Sequence, residues 1–508
     1  MELRTRQEQR QHSNNTSVNR IESQIPAVIE TPGSPLLPSK FEAQELIRSY
    51  FSTLYPLPSY AFLHESSISQ RHAEGTLDEC LTLAICVITA VHLNLVKFFP
   101  LLSSRWIQRV EDMVWQQLEN PSVLKLQALL LVVRYHIHTG AFQRAFMLAA
   151  LAARGATGLR LNYARSDLSF LAQEIRRRLV WTFSMLDGLF SIGLPEFELC
   201  PIEAIHLQLP CRENDLASPS PVETEPVRPG NARNTKNLGL YALYIRSTFM
   251  RRNIMKFSRQ TAQEKLHASD FLVRFEQLEQ EINDMETESK RVTTYSPPEL
   301  GNYVGIRWLA RYLMVHLSWH QCRCDLYRLF LPGYRDAAPA HVLQHIESTF
   351  LANGAFQCWI HANAIIDILA DVDQKCIGQV FLEFDTAVVA YHAARLVLFL
   401  KRNDSLELDF AITRAGLCVA VVKSTDYASP STTLTSGRGI GNVPRLETMP
   451  PALRSLDQRD TDVTADYRAS RNVPLDRHPQ VRLEAHCSTT ATAENNLNIG
   501  RSTRIADE

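Results

Sequence analysis

Apolar residues recur at helical spacing along most of this chain, from about Phe41 to Ser424. "LDECLTLAICVITAVHLN" and "SRWIQRVEDMVWQQLE" each read as a helix. A punctuated pair follows. Asn120 is placed to cap, Pro121 suits a first helical position, and "SVLKLQALLLVVRYHIHT" runs to Gly140. "AFQRAFMLAALAARGAT" then stops near Gly158, and its small residues leave room for a close neighbour, so the pair predicts an αα-hairpin. Further helices are predicted from about Leu238, over 266–285 and over roughly 303–330, 348–370, 379–402 and 406–424. Within 266–285, Phe271, Phe275, Leu278, Ile282 and Met285 are spaced 4-3-4-3, as in a helix–helix seam. Alternating β-type runs are scarce, so the expected class is all-α: one large multi-helix domain over 41–425.

Two interruptions stand out. The Pro/Ser-rich stretch 213–234 reads as a loop, and "TYSPPELGN" reads as a break. The ends, 1–40 and 429–508, are polar without a sustained period and are expected to be disordered tails.

"EIRRRLVWTFSMLDGLFSIGLP" (174–195) is the densest conflict of charge and apolarity. Successive helical residues turn by about 100°, so Arg176, Arg177 and Arg178 fan around a helix whose later positions are apolar on nearly every side. Glu174 and Arg178 stand at i,i+4 and can pair. A buried guanidinium persists only when its donors are satisfied, so the favoured reading is a structural collar rather than an anion site. Asp187, an acid in an apolar run, is expected to accept hydrogen bonds from a neighbouring helix or loop.

Charge narrows the function classes. With 53 basic and 54 acidic residues the net charge is −1, so the whole chain is not a polyanion binder. The basic run "RRNIMKFSR" (251–259) is read as an amphipathic helix that buries Ile254 and Phe257 and solvates its charges. Ten scattered cysteines without a C-x-x-C pair suggest reduced, packed thiols, and the polar start lacks a signal peptide pattern. The apolar segment 81–96 is short for a membrane span. The chain is expected to be soluble and intracellular, without membrane partners.

Candidate chemistry is thin. His316, His320 and Cys324 share a helical face, but a straight helix spreads them over about 12 Å, too far for one ion. Asp367 and Asp371 at i,i+4 lack a second acidic motif to complete a magnesium site. No G-x-S-x-G, H-E-x-x-H or phosphate-loop motif occurs. The expectation is no catalytic residue, no metal site and no enzyme.

Taken together, "AARGATGLRL" (152–161), Glu174, Arg176-Arg177-Arg178, Trp181, Asp187, Gly193-Leu194-Pro195 and Leu209-Pro210 resemble the fungal-specific transcription factor domain. This is the middle homology region of binuclear-zinc-cluster fungal regulators. "YFSTLYPLPSYAFLHE" (50–65) and "HQCRCDLYRLFLPG" (320–333) are similar to its opening and to a later helix, so the likeness covers roughly 41–425. Val180 stands where a second tryptophan is common, and Leu194 where arginine often follows the glycine.

The resemblance implies a nuclear regulator of RNA polymerase II transcription that works through transcription factors, co-regulators or a small-molecule effector. Family members bind zinc through an N-terminal cluster of six cysteines within about 30 residues. Here no cysteine precedes Cys80, so the expectation is no cofactor in this chain, and DNA contact only indirectly or through a missing N-terminal segment. The competing expectation is a helical scaffold or partner-binding protein that does not bind DNA.

Overall fold

The computed structural model describes residues 37–424, apart from 94, 96–99, 117, 219, 229–237, 264–266, 377–379 and 404. The expected tails fall outside the described residues except for 37–40, and 229–234 of the expected loop falls outside as well. At the start, Ser39 and Glu42 form a reciprocal capping box on the first helix, so Ser39 and Lys40 of the expected tail are structured.

The described residues are all helix and loop, with three isolated β-bridges and no strand. The first layer holds α1 (Lys40–Ser49), α2 (Glu65–Glu74), α3 (Glu79–His92), α4 (Pro100–Gln116), α5 (Val123–His138) and α6 (Phe142–Gly158). α7 (Phe170–Ser191) and α8 (Leu240–Gln263) lead to a second group: α9 (Ala268–Val292), α10 (Pro297–Tyr303), α11 (Leu309–Tyr327), the short α12 (Ala340–Leu343), α13 (Ser348–Lys375), α14 (Phe384–Lys401) and α15 (Ser405–Ser424). α3 and α5 are apolar on nearly all faces because each is surrounded: α3 by α1, α4 and α5, and α5 by α3, α4 and α6. α11 plays the same part in the second group, between α8, α13 and α14. One continuous apolar core joins both groups. Among the described residues no single helix is long and apolar enough to cross a membrane.

The α5–α6 hairpin, the α9 seam and the all-α class form as expected. Two local expectations fail. The cap of α5 is Ser122, whose Oγ accepts from Lys125 N at 3.3 Å, rather than Asn120. The stretch read as a break, 294–302, holds most of α10, because Ser296 caps that helix and two prolines occupy its first turn, where their missing N–H groups cost nothing.

Before α2 the chain makes a wide i→i+5 turn, Tyr55 N to Tyr50 O at 2.9 Å, that sinks Tyr50, Phe51, Tyr55 and Tyr60 into the core. This places the Tyr55 hydroxyl beside α7.

Candidate functional site

α7 starts behind Ser169, whose Oγ accepts from Ala172 N at 3.3 Å, and ends at Ile192 and Gly193, both with positive φ. A left-handed pair stops the helix and reverses the chain. The chain then returns beside α7 as a strap over 198–213.

The strap is fastened at successive levels. Asp187 Oδ1 accepts from Leu199 N at 2.9 Å and Oδ2 from Cys200 N at 3.0 Å. Trp181 Nε1 donates to Gln208 O at 2.9 Å. Glu174 Oε1 accepts from Cys211 N at 3.0 Å. Arg178 donates to Cys211 O at 3.0 Å and pairs with Glu213 at 2.7 Å. As the strap advances from 199 to 213, its anchors descend from 187 to 174, so it runs antiparallel to the helix. The side chain of Asp187 also pairs with Arg252 of α8 at 2.7 Å.

The three arginines differ. Arg178 is 1% exposed and satisfies all three of its nitrogens: Nε on Glu174 at 3.0 Å, Nη1 on Glu213 and on the Tyr55 hydroxyl at 3.0 Å, and Nη2 on Cys211 O. Arg177 is buried against the other oxygen of Glu174. Arg176 is half-buried and donates to Leu159 O, at the end of α6, at 3.3 Å. Burial alone would raise the carboxyl of Glu213, yet Arg178 and Arg311 outweigh it and hold the group well below the usual carboxylate range. Arg311 of α11 reaches the same carboxylate and donates to Pro56 O and Tyr55 O at 3.0 and 2.9 Å. Tyr55, Glu213 and Arg311 therefore complete a polar knot with Glu174 and Arg178. Sequence reading gave no place to any of the three.

Gly193 packs against the backbone of α8. A Cβ there would lie 2.5 Å from the Met255 carbonyl carbon, so the turn needs glycine for space as well as for its φ of +79°. Pro195 follows in an exposed 3-10 turn. Leu209 and Pro210 are buried in the strap, and Leu209 N donates to Glu225 O at 2.7 Å.

The basic run 251–259 departs from its expected solvated face. Ile254 and Phe257 are buried as expected, but so is Arg252, paired with Asp187 and with Glu198 at 3.0 Å. Lys256 joins Glu198 at 2.8 Å, and Arg251 pairs with the fully buried Asp325 at 2.8 Å. These charges fasten α8 to the strap and to α11.

Of the weaker candidates, His320 Nδ1 lies 2.9 Å from His361 Nδ1, while His316 contacts Tyr295 and Tyr312 instead. Asp371 accepts from the Tyr295 hydroxyl at 2.8 Å, and Asp367 pairs with Arg414 at 2.7 Å. Among the described residues no three His, Cys, Asp or Glu side chains are grouped to hold a metal.

Along the second half of α7, a cleft of about 910 Å³ opens between α6, α7, α8, α11 and α14. That volume is in the range of small-molecule sites. Phe142, Phe146, Met185, Leu189 and Phe190 form an apolar wall on α6 and α7. Arg251, Arg259, Arg328 and Arg395 face the cleft from the other elements, with His392 and Asp385. Burial, reinforced by Arg328, pushes the His392 imidazole down to about 3. Exposed Met147, Ile192 and Arg335 stand at the rim. The sequence did not reveal the cleft, because its lining comes from helices and loops far apart in the chain, from Phe142 to Arg395.

Residues 47–284 match the family model of the fungal specific transcription factor domain. A Zn(2)-C6 fungal-type transcription factor FTF1c of Fusarium oxysporum f. sp. lycopersici is 23% identical over 387 residues, covering 68% of this chain and 40% of that protein. An FTF1a protein of the same organism is 27% identical over 205 residues, covering 36% of this chain and 18% of its own. FTF2 is 26% identical over 202 residues, with coverage of 36% and 18%. The chain thus spans less than half the length of these relatives. No solved structure matches it. α7, its strap and α8 all fall inside the matched range, and α11 and α14 follow it. Over residues 47–284 the chain is therefore similar to the fungal specific transcription factor domain, and over part of its length to Zn(2)-C6 fungal-type transcription factors.

Proposed function

We propose that this chain is a regulatory domain of fungal transcription control. It acts in the nucleus on RNA polymerase II transcription, and its output depends on transcription factor or co-regulator partners and on occupancy of the cleft by a small effector. DNA is contacted only indirectly, through a partner, or through a zinc cluster not present in this sequence. The observation that carries this reading is the position of the cleft. Its walls come both from the matched domain (α6, α7, α8) and from a helix beyond it (α14), so a ligand there touches both and biases how they pack. A ligand shifts such an equilibrium only by binding one packing better than the other, and a cleft shared by two segments supplies that difference. The residues on α7 serve the same end by giving the cleft a fixed wall.

Gly188 offers a clean test. It lines the cleft, and a Cβ there would meet nothing within 4 Å. Gly188→Leu fills the space while gaining helix propensity, roughly 0.5–1 kcal/mol. The full chain is fused to a DNA-binding module of known site and assayed on a reporter in fungal cells. The fusion is expected to change reporter output relative to the module alone, and Gly188→Leu is expected to alter that change at equal protein level. Identical output from the fusion and the bare module contradicts the proposal.

A further inference from the structure

The cleft is polarised along its length. Tyr244 donates to Asp385 at 3.1 Å near the start of α14, and Phe142 meets Phe384 there at a ring separation of 6.1 Å. Further along, Arg251 pairs with Asp325. At the far end Arg328 reaches Met255 of α8 at 3.5 Å, and Arg395 lies over the Tyr334 ring at 5.3 Å. Arg259 follows Met255 by one turn of α8, and Arg335 follows Tyr334. From Phe384 to Arg395, α14 advances eleven residues, roughly 16 Å at 1.5 Å each.

The arginines at that end are not equally engaged. Arg328 is buried and paired with Asp325 at 2.7 Å, with Asp336 at 3.8 Å. Arg259, Arg335 and Arg395 have no carboxylate within 4.0 Å among the described residues. The Nε of Arg259 is also buried without a hydrogen-bond partner. At Arg178, Arg246 and Arg252 the buried guanidinium is tied to a carboxylate, whereas buried Arg134 has none within 4.0 Å among the described residues. Three unmatched arginines converging on one end of an apolar-walled cleft leave a local excess of positive charge. An oxyanion offers the fork-shaped guanidinium a bidentate partner.

We propose that the cleft binds an amphipathic organic anion, its oxyanion head held by Arg259, Arg335 and Arg395 and its apolar body laid along Phe146, Met185 and Leu189. This rests on the reading of the cleft as an effector site and adds the ligand's chemical class. Carboxylate and phosphate heads share the chemistry.

The test is calorimetric titration of the full chain with decanoate, decyl phosphate and decan-1-ol, each below its aggregation concentration. At least one anion is expected to bind about tenfold or more tightly than the alcohol, the value of one charge-assisted hydrogen bond. Whichever anion binds more tightly identifies the head group. Arg259→Gln and Arg395→Gln are expected to bring that anion toward the alcohol, while Arg165→Gln, which does not line the cleft, leaves the ratio unchanged. Thermal unfolding of each variant checks folding. Equal binding of the three probes, or a preference that survives both cleft substitutions, overturns the anion assignment and leaves the effector site standing. If none of the three binds, both readings fall.

Discussion

Arg178 and Glu213 are joined by a 2.7 Å ion pair across 35 residues of chain, and the arginine is 1% exposed. Such a pair is stable only because Glu174, Tyr55 and the Cys211 carbonyl take up the remaining donors. The knot explains why an otherwise apolar helix carries charge in its first turns: the charges bind a loop and the opening segment to it.

Breaking the knot from one side strands buried carboxylates. Arg178→Met is expected to cost about 3–5 kcal/mol in denaturant unfolding. Arg178→Lys is expected to rescue little, because a single ammonium cannot serve acceptors lying in the three directions of the guanidinium fork. Full stability in the lysine variant would mean that fork geometry is irrelevant.

The turn after α7 depends on one glycine. Gly193→Ala places a methyl against the Met255 backbone at positive φ, so a loss of about 1–3 kcal/mol is expected from thermal or denaturant melts. A neutral result would mean that α7 and α8 separate freely at that point.

Acid should loosen the fold well before carboxylates protonate. Burial pushes His92, His316 and His361 down to about 4, and burial with Arg328 pushes His392 to about 3. Unfolded histidine titrates near 6.5, so below that pH the unfolded chain binds protons that the folded chain refuses. The contribution of these groups is complete above about pH 6.5 and is lost as pH falls toward 4, with a slope of up to about 1.4 kcal/mol per pH unit for each histidine. Asp325, lowered to about 2 because Arg328 and Arg251 outweigh its burial, adds a further loss between about pH 4 and 2. Urea midpoints measured from pH 8 to pH 3 check the order, and a flat profile from 6.5 to 4 would refute it.

Arg251, Arg252 and Lys256 of the run 251–259 are committed to internal pairs, and the net charge of the chain is −1. The purified chain is therefore expected to give no sequence-specific shift of DNA at physiological salt. Tight, sequence-selective shifts would place a DNA reader in this chain.

Helices with a clear stripe or capping signal were legible from sequence: α9 from its 4-3-4-3 seam, and α5 and α6 from their glycine stops. So was the conflict on α7, since three arginines before Leu179, Val180 and Trp181 cannot all face water. The partners were not legible. Glu213 lies in a Pro/Ser-rich loop and Arg311 on a distant helix, and nothing local marks either as the mate of Arg178. The one available signal was charge balance, a buried arginine cluster that needs more acid than Glu174 provides. The basic run 251–259 misled because periodicity places Ile254 and Phe257 inward but cannot say that Asp187, Glu198 and Asp325 wait on the other faces.

The claim on which the account rests is that Glu174, Trp181 and Asp187 hold the strap to α7. Hydrogen exchange resolved at single amides tests it most directly. Asp187→Asn is expected to speed exchange at Leu199 and Cys200, and Glu174→Gln at Cys211, with the interior of α7 still protected. Unchanged exchange at those three amides in both variants would contradict it.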